Sequence, residues 1–219
     1  MKKLFLTLAF VLSFISAAYA QTSMGLTLSM ANIDTDLSDD IDNNGTTDTT
    51  KSVSNDVIFG SIFFERELDN GVVVGIDIIP LEAEFESRST TQSSLKGKDD
   101  DSASGTNKGT ADVSKHLTFY VQPTKELANG SKVFATLGLV RADVESKVQS
   151  VSSTDKTVDQ NLDGIKFGIG MKRDMGNGFF KLELNRTDYD DISATTSNDT
   201  KVTADIDTTV LGLSVGKAF

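Results

Sequence analysis

The chain of 219 residues contains no cysteine and no tryptophan, and only two prolines and one histidine. Without cysteine it has neither a disulfide framework nor a thiolate metal site. Its 21 lysines and arginines are outnumbered by 32 aspartates and glutamates, which gives a net charge of −11. Binding to phosphate backbones needs a basic face, so this balance predicts no nucleic-acid partner.

Long apolar runs are also scarce. The one that stands out extends from Leu4 to about Ile15, follows two lysines and precedes Ala18-Tyr19-Ala20. It is shorter than the ~20 residues of a membrane helix and has the layout of a secretory signal peptide. We therefore expect residues 1–20 to be cleaved and residues 21–219 to form one mature domain. The alternative is an uncleaved N-terminal anchor.

No later stretch approaches the ~18 consecutive apolar residues of a membrane helix. A mature chain that crosses a membrane then has to do so as a closed β-barrel, the other structure that satisfies every backbone hydrogen bond in lipid.

Three Asn-Gly dipeptides, at Asn70, Asn129 and Asn177, lie between stretches with strand-like sequence. Asn-Gly favours type I′ turns, because both central residues adopt positive φ. The sequence therefore predicts three tight hairpins, which join strands two to three, four to five and six to seven. The segments between these hairpins are long, polar loops at about 34–54, 86–112, 147–162 and 190–203.

Short turns that alternate with long polar loops are typical of an outer-membrane barrel, whose short turns face the periplasm. A soluble β-sandwich is the alternative, but its loops do not alternate in this way. Apolar and polar side chains alternate along most of the expected strands, as half-buried strands require. Eight strands are predicted at about 22–33, 55–67, 71–85, 113–126, 131–146, 163–173, 179–189 and 204–219.

Two strands are irregular. Pro80 falls inside the third strand and needs a bulge or a position outside the regular ladder. The second strand is apolar on both faces, so its register stays open. The last strand is the most regular, because Leu211, Leu213 and Val215 alternate with small residues before the terminal Phe219.

Two segments carry a resemblance to a known family: FFKLELNRTDYDDIS at 179–193 and the terminal LGLSVGKAF. They resemble the small eight-stranded outer-membrane barrels related to outer-membrane protein A and the opacity proteins. The resemblance implies an all-β, eight-stranded, antiparallel up-and-down transmembrane barrel in a Gram-negative outer membrane. It also implies a monomer in contact with outer-membrane lipid and lipopolysaccharide.

In that family the barrel-assembly machinery reads the C-terminal strand. The resemblance therefore implies that the assembly signal consists of Leu211, Leu213, Val215 and Phe219. Lys217 departs from the family pattern, which has an aromatic or apolar residue at this position.

The polar members of the alternating strands are expected to face the lumen, which side chains can fill in a barrel of eight strands. Enclosed charges need partners, so a network of lysines and acids is predicted there. Structural filling is the main interpretation, and a gated narrow pore is the alternative. The predicted lumen residues are Asp77, Lys166, Lys172, Lys181, Glu183 and Asn185, with Glu65 added.

His116 is the only histidine, and Ser114 precedes it by two residues and would share its strand face. A Ser–His pair can serve nucleophilic catalysis. The sequence offers no third, orienting acid and no G-x-S-x-G motif, so we expect a non-enzymatic protein.

The segment at Asp40, Asp42, Asn44 and Asp48 matches the opening of a calcium-binding loop. Lys51 stands where such a loop needs a bidentate glutamate, so an EF-hand is not formed. We expect no cofactor and no specific metal site, and these four residues remain weak candidates for divalent cations.

Taken together, the sequence predicts a structural outer-membrane barrel that meets extracellular partners through four outer loops. The alternatives are a small solute channel and an enzyme that modifies lipid in the outer leaflet.

Overall fold

The computed structural model describes residues 21–40, 43–80, 83–92, 105–150, 153–176, 178–195 and 201–219. The expected signal peptide lies outside these ranges. None of the described residues forms a helix that could cross a membrane. Ten strands form one antiparallel sheet: β1 (Gln21–Asp40), β2 (Thr49–Glu67), β3 (Val72–Ile79), β4 (Ala83–Gln92), β5 (Gly105–Glu126), β6 (Ser131–Ser150), β7 (Ser153–Met175), β8 (Gly178–Tyr189), β9 (Ile192–Thr195) and β10 (Lys201–Ala218).

The sheet closes on itself. β1 pairs with β2 on one side and with β10 on the other, in an unbroken register from Ser23↔Ala218 to Asp40↔Lys201. β3 and β4 both pair with β5, and β8 and β9 both pair with β10. β3 and β4 therefore occupy one strand position of the barrel, as do β8 and β9, so the ten segments form an eight-stranded barrel. The predicted all-β, eight-stranded antiparallel barrel is confirmed. Near the short-turn end closure pairs every strand on both sides, so no strand has an open edge there.

The outer surface of the barrel is apolar, whereas its interior holds polar and charged side chains together with buried aromatic and aliphatic ones. Leu28, Leu139 and Ile169 are 60%, 66% and 67% exposed, whereas Thr118 and Lys181 are 0% and 3% exposed. Because successive side chains of a strand point to opposite faces, these residues mark the outer and inner surfaces. Such an outer surface suits contact with hydrocarbon.

The strands at the long-loop end are longer than predicted. β1 continues to Asp40 and pairs with β2 up to Asp39↔Thr49, and β6 pairs with β7 up to Ser150↔Ser153. The prediction of loops at 34–54 and 147–162 is thus wrong over most of their length. The loops predicted at 86–112 and 190–203 are shortened by β4 and β5 and by β9 and β10.

The physical reason is that these segments are rich in threonine, serine and valine. Threonine and valine favour extended backbone, whichever solvent the strand meets. The polarity of these residues shows only that the strand ends lie outside the apolar band.

The hairpins occur where predicted, but the type I′ geometry is wrong for the first two. Only the glycines have positive φ, +77° at Gly71 and +76° at Gly130. The Gly71 amide donates to the Leu68 carbonyl at 2.9 Å, which gives a type I turn closed by a left-handed glycine. In the third hairpin the left-handed glycine is Gly176.

The asparagines instead act through their side chains. The Oδ1 atom of Asn70 accepts the Val72 amide at 3.1 Å, and Asn129 accepts the Ser131 amide at 3.0 Å. This use of asparagine needs no positive φ. Asn177 lies outside the described residues.

Pro80 lies between β3 and β4, outside the regular ladder, as predicted. The register of the second strand is now defined, because Phe63 is 2% exposed and points inward while Phe64 is 44% exposed and points outward.

Candidate functional site

Four aromatic rings fill the lumen near the short-turn end, and each lies over a glycine of the adjoining strand. A Cβ atom added to Gly170 would lie 2.3 Å from the Phe134 ring, and one added to Gly75 would lie 2.4 Å from the Tyr120 ring. In both cases the ring and the glycine are direct cross-strand partners. The other two pairs are Phe63 with Gly25 and Phe179 with Gly216.

These glycines make room for rings that a narrow barrel could not otherwise hold. The sequence did not predict these rings inside the lumen. The available signal was that an aromatic residue on one strand faces a glycine on the next, which becomes visible only when the register is known.

Lys181 lies at the centre of the aromatic cluster. Its Nζ atom is 4.9 Å from the Phe63 ring centroid and 5.2 Å from that of Phe134. It hydrogen bonds to Glu65, which also accepts the Tyr120 hydroxyl at 2.8 Å. Lys181 and Glu65 are 3% and 4% exposed. Since both charges are removed from water, each depends on the other and on the surrounding rings and hydroxyl group.

A second group of hydrogen bonds lies beside this ion pair. Gln122 donates through Nε2 to Thr136 at 3.0 Å and to Glu183 at 3.3 Å, and Thr136 also donates to Glu183. Asp77 accepts the Ser61 hydroxyl at 2.7 Å. Tyr120, Gln122 and Thr136 are members of the network that sequence reasoning missed, because hydroxyl and amide groups gave no charge signal.

Four of the predicted lumen residues line one cavity: Asp77, Lys166, Lys181 and Glu183. Its volume is about 20 Å³. That is close to the space needed by a single water molecule, so side chains fill the barrel at this level.

Lys172 and Asn185 do not line this cavity. Lys172 stacks over the Phe179 ring, with its Nζ atom 4.0 Å from the centroid. Asn185 is buried, and its Oδ1 atom would lie 2.0 Å from a Cβ on Gly168. A further ion pair, Lys132 with Glu67 at 2.7 Å, was not predicted.

The prediction that Ser114 and His116 share a strand face is wrong. The register between β5 and β6 shifts between Ser114 and Leu117, and Lys115 has a φ of +51°. This bulge reverses the alternation of side chains. Ser114 lies opposite Asp143, whose Oδ2 atom pairs with Lys115 on the outside, whereas the His116 Nε2 atom is 3.2 Å from the Tyr189 hydroxyl. The two side chains therefore do not form a nucleophile–base pair.

In the segment that matches a calcium-binding loop, the Asp40 carboxylate binds backbone amides of the same segment. The two carboxylate oxygens of Asp40 accept the amides of Asn44 at 3.0 Å and Gly45 at 2.8 Å. The Asp48 amide donates to the Asp39 carbonyl at 2.8 Å. Asp42 lies outside the described residues, and no group of three or more potential metal ligands occurs within them.

A collar of charged side chains lies on the outside of the barrel just beyond the apolar band, towards the long strand ends of β1, β2, β5, β6, β7, β8 and β10. Arg141 binds Asp163 through two hydrogen bonds of 2.6 Å, and Arg186 binds Asp207 at 2.6 Å and Asp188 at 3.1 Å. The hydrogen bond from Arg141 lowers the pKa of Asp163. The remaining outward-facing acids of the collar are Asp34, Asp36, Asp56, Asp143 and Asp205.

Beyond the collar the strands continue as a polar sheet. β2 pairs with β1 along its whole length but with β3 only from Ile62 to Glu67. Among the described residues, the other edge of β2 has no partner strand from Thr49 to Ser61, and the part of it beyond the collar is Thr49–Asn55. An unpaired edge offers backbone N–H and C=O groups to an added strand.

The C-terminal strand closes the barrel at the short-turn end. Leu211, Leu213 and Val215 point outward and are 47%, 52% and 47% exposed. Phe219 is 68% exposed, and its amide donates to the Thr22 carbonyl at 2.8 Å.

No family model matches the chain, and no curated protein does. Solved structures with a similar fold include outer membrane protease OmpT from Escherichia coli, with a TM-score of 0.50 and 8% identity over 93% of this chain and 99% of that one. Ail, the attachment invasion locus protein of Yersinia pestis, has a TM-score of 0.43 and 12% identity over 90% and 99% of the two chains. Neisserial surface protein A has a TM-score of 0.41 and 10% identity over 89% and 97%.

The likeness to OmpT concerns the fold. The chain has the fold of an outer-membrane β-barrel, as its closed ring and its apolar outer surface also indicate.

Proposed function

We propose that this protein is a non-enzymatic outer-membrane barrel of a Gram-negative cell that serves envelope structure and surface recognition. The signal peptide would direct export, and residues 211–219 would be read by the barrel-assembly machinery. The barrel would work as a monomer, with lipid and lipopolysaccharide around its wall.

The observation that carries this proposal is the length of the strands. A membrane β-strand needs ~9–11 residues, whereas β1, β5 and β7 have 20, 22 and 23. The additional residues extend the sheet past the charged collar, away from the short turns. In outer-membrane barrels the short turns are periplasmic, so the projecting sheet would face the outside.

Two features suit this projecting sheet to recognition. Its β2 edge from Thr49 to Asn55 can accept an extended segment of a partner by backbone hydrogen bonding. Acidic residues predominate near that edge, from Asp34 and Asp36 on β1 to Asp56 on β2, and favour a basic partner. A polyanion such as heparin would be repelled.

The test uses a trimmed variant that joins Ile33 to Asn55, two paired residues, through a two-residue turn. Cells that produce the wild-type protein should be retained on collagen or poly-lysine but not on heparin, and the trimmed barrel should lose this retention. A deletion of residues 96–104, which spares the β2 edge, serves as control. Equal retention of wild-type and trimmed cells would contradict surface recognition by this sheet.

The channel alternative predicts a continuous water path. The rings and the ion pair around Lys181 fill the lumen, and the cavity beside them holds about 20 Å³. In planar bilayers we therefore expect no steady conductance from the purified barrel. Stable single-channel steps would favour the channel over a purely structural lumen.

A further inference from the structure

A groove crosses the outer wall of the barrel on the short-turn half. Its volume is about 650 Å³, within the ~300–1,000 Å³ that ligand sites occupy. The floor includes Ala135 and Gly170, which have little or no side chain to cover the backbone. The walls are apolar and come from β6, β7, β8 and β10: Val133, Ile169, Met171, Leu182, Leu184 and Leu211.

The strand register defines the direction of the groove. Lys125 lies at one end of the groove. The residues paired in turn on the successive strands β6, β7, β8 and β10 are Val133, Met171, Leu182 and Leu213. Lys125 is one residue from the end of β5, whereas Leu213 is in the middle of the outward apolar residues of β10. The strands of a membrane barrel tilt by ~35–45°, so a line across them climbs through the membrane. The groove therefore rises from the periplasmic rim towards the membrane centre.

Two basic side chains lie at the lower end. Lys125 lines the groove, and Arg173 follows the lining residue Met171 on the same face of β7. Both side chains are exposed. From Lys125 to Arg173 the path crosses two interstrand spacings and then runs two residues along β7. The two Cα atoms are therefore about 12 Å apart. Both side chains are long enough to reach one anionic group from opposite sides.

Neither basic residue forms an ion pair within the described part of the chain. The neighbouring acids of this rim belong to the inner face, since Glu126 lies opposite the inward-facing Lys132 in the strand register and Asp174 follows the buried Lys172 by two residues on β7. The outer face thus presents positive charge at the short-turn rim, whereas aspartates predominate in the collar at the opposite end.

We propose that this groove binds one anionic phospholipid of the periplasmic leaflet. Its phosphate would lie between Lys125 and Arg173, and one acyl chain would follow the groove over Ala135 towards Leu211. Charge selects the headgroup, and the apolar walls select the chain. The proposal rests on the proposed outer-membrane location, since the groove meets lipid only in a membrane-inserted barrel.

Native mass spectrometry of the barrel in detergent tests this site with two lipid probes, phosphatidylglycerol and phosphatidylcholine. The wild-type barrel should retain one phosphatidylglycerol in preference to phosphatidylcholine by about 30-fold, at roughly 1 kcal/mol for each basic residue. The double variant Lys125→Gln/Arg173→Gln should lose the preference. Lys217→Gln removes an outward basic residue of the same rim away from the groove, and should keep it.

A second variant tests the groove itself. Ala135→Phe places a ring on the floor and should abolish retention of either lipid, whereas Val215→Phe, on the outer face but outside the groove, should not. Equal binding of the two lipids by the wild type, or full retention by Ala135→Phe, would overturn the proposal. A dimer that Ala135→Phe dissociates would assign the groove to a second copy of the chain.

Failure of the proposed function would look different. A barrel that does not enter the outer membrane would be missing from that fraction of the cell, whatever lipid the purified protein binds.

Discussion

At the scale of single residues, the buried pair of Lys181 and Glu65 shows how an acidic chain accommodates positive charge in an enclosed lumen. The lysine is surrounded by three ring faces and one carboxylate, and the carboxylate also accepts a tyrosine hydroxyl. Removing one charge leaves the other buried without compensation, which costs more than the net stabilisation of the intact pair.

Lys181→Met should therefore lower the free energy of unfolding by about 3–5 kcal/mol, because Glu65 stays buried and unpaired. The double variant Lys181→Met/Glu65→Gln should recover most of the loss, since glutamine is neutral and still accepts the Tyr120 hydroxyl. Urea unfolding in lipid vesicles, followed by the gel mobility of unheated protein, measures both. Lys217→Met, at the exposed rim, serves as control and should change stability by less than about 0.5 kcal/mol. A loss in the double variant as large as in Lys181→Met would contradict the ion-pair explanation.

At the scale of elements, the first hairpin turn distinguishes two geometries that the Asn-Gly dipeptide allows. In a type I′ turn, asparagine occupies a left-handed position that glycine fills equally well. Here Asn70 contributes a side-chain oxygen to the Val72 amide, and only Gly71 is left-handed.

Asn70→Asp should therefore be tolerated, because aspartate keeps the acceptor. Asn70→Gly should lower stability by about 0.5–1.5 kcal/mol, the value of one hydrogen bond. Gly71→Ala should lower it by about 1–2 kcal/mol, because its φ of +77° places a Cβ too close to the backbone. The same unfolding assay applies, and an Asn70→Gly variant as stable as the wild type would indicate the type I′ turn.

The sequence predicted the strands well where they cross the apolar band, because period-two alternation is strong there, as at Ile165, Phe167 and Ile169. It failed at and beyond the collar, where the apolar side chains face inward, as Val144, Leu162 and Ile206 do, and the outward residues are polar. The outward apolar stripe that marks the strands in the band is absent there. Backbone pairing continues all the same, as in Asp34↔Ser54. The face of His116 could not be predicted either, because one left-handed residue, Lys115, reverses the alternation without any signal in polarity.

At the scale of the whole molecule, the sign of the charge depends on the position in the barrel, which the net charge alone does not show. Basic residues lie on the outer face at the short-turn rim, acids predominate in the collar, and lysines and acids are paired in the lumen. The candidate lumen residues could be named from the sequence because charged positions alternate with apolar ones. Their partners could not, because Gln122 meets Glu183 only across the closed ring, and Tyr120 reaches Glu65 over Gly75 only in this strand register.

The apolar band itself is tested by one substitution at its centre and one at its margin. Leu213 points outward between Leu28 and Leu182 on the neighbouring strands, and Thr209 points outward on the same strand at the level of Arg186. If the band lies in hydrocarbon, Leu213→Arg should lower the free energy of unfolding in lipid vesicles by about 2–4 kcal/mol, whereas Thr209→Arg should lower it by about 0–1 kcal/mol.

In detergent micelles the difference between the two variants should shrink, because detergent rearranges around a charge more readily than a bilayer does. The comparison keeps the strand, the face and the introduced side chain constant, so only depth in the membrane separates the two variants. Equal losses in vesicles would mean that Leu213 does not lie deeper than Thr209. The membrane would then have to cross the barrel at a different level from the apolar band, and the outward projection of the polar sheet would no longer follow from the strand lengths.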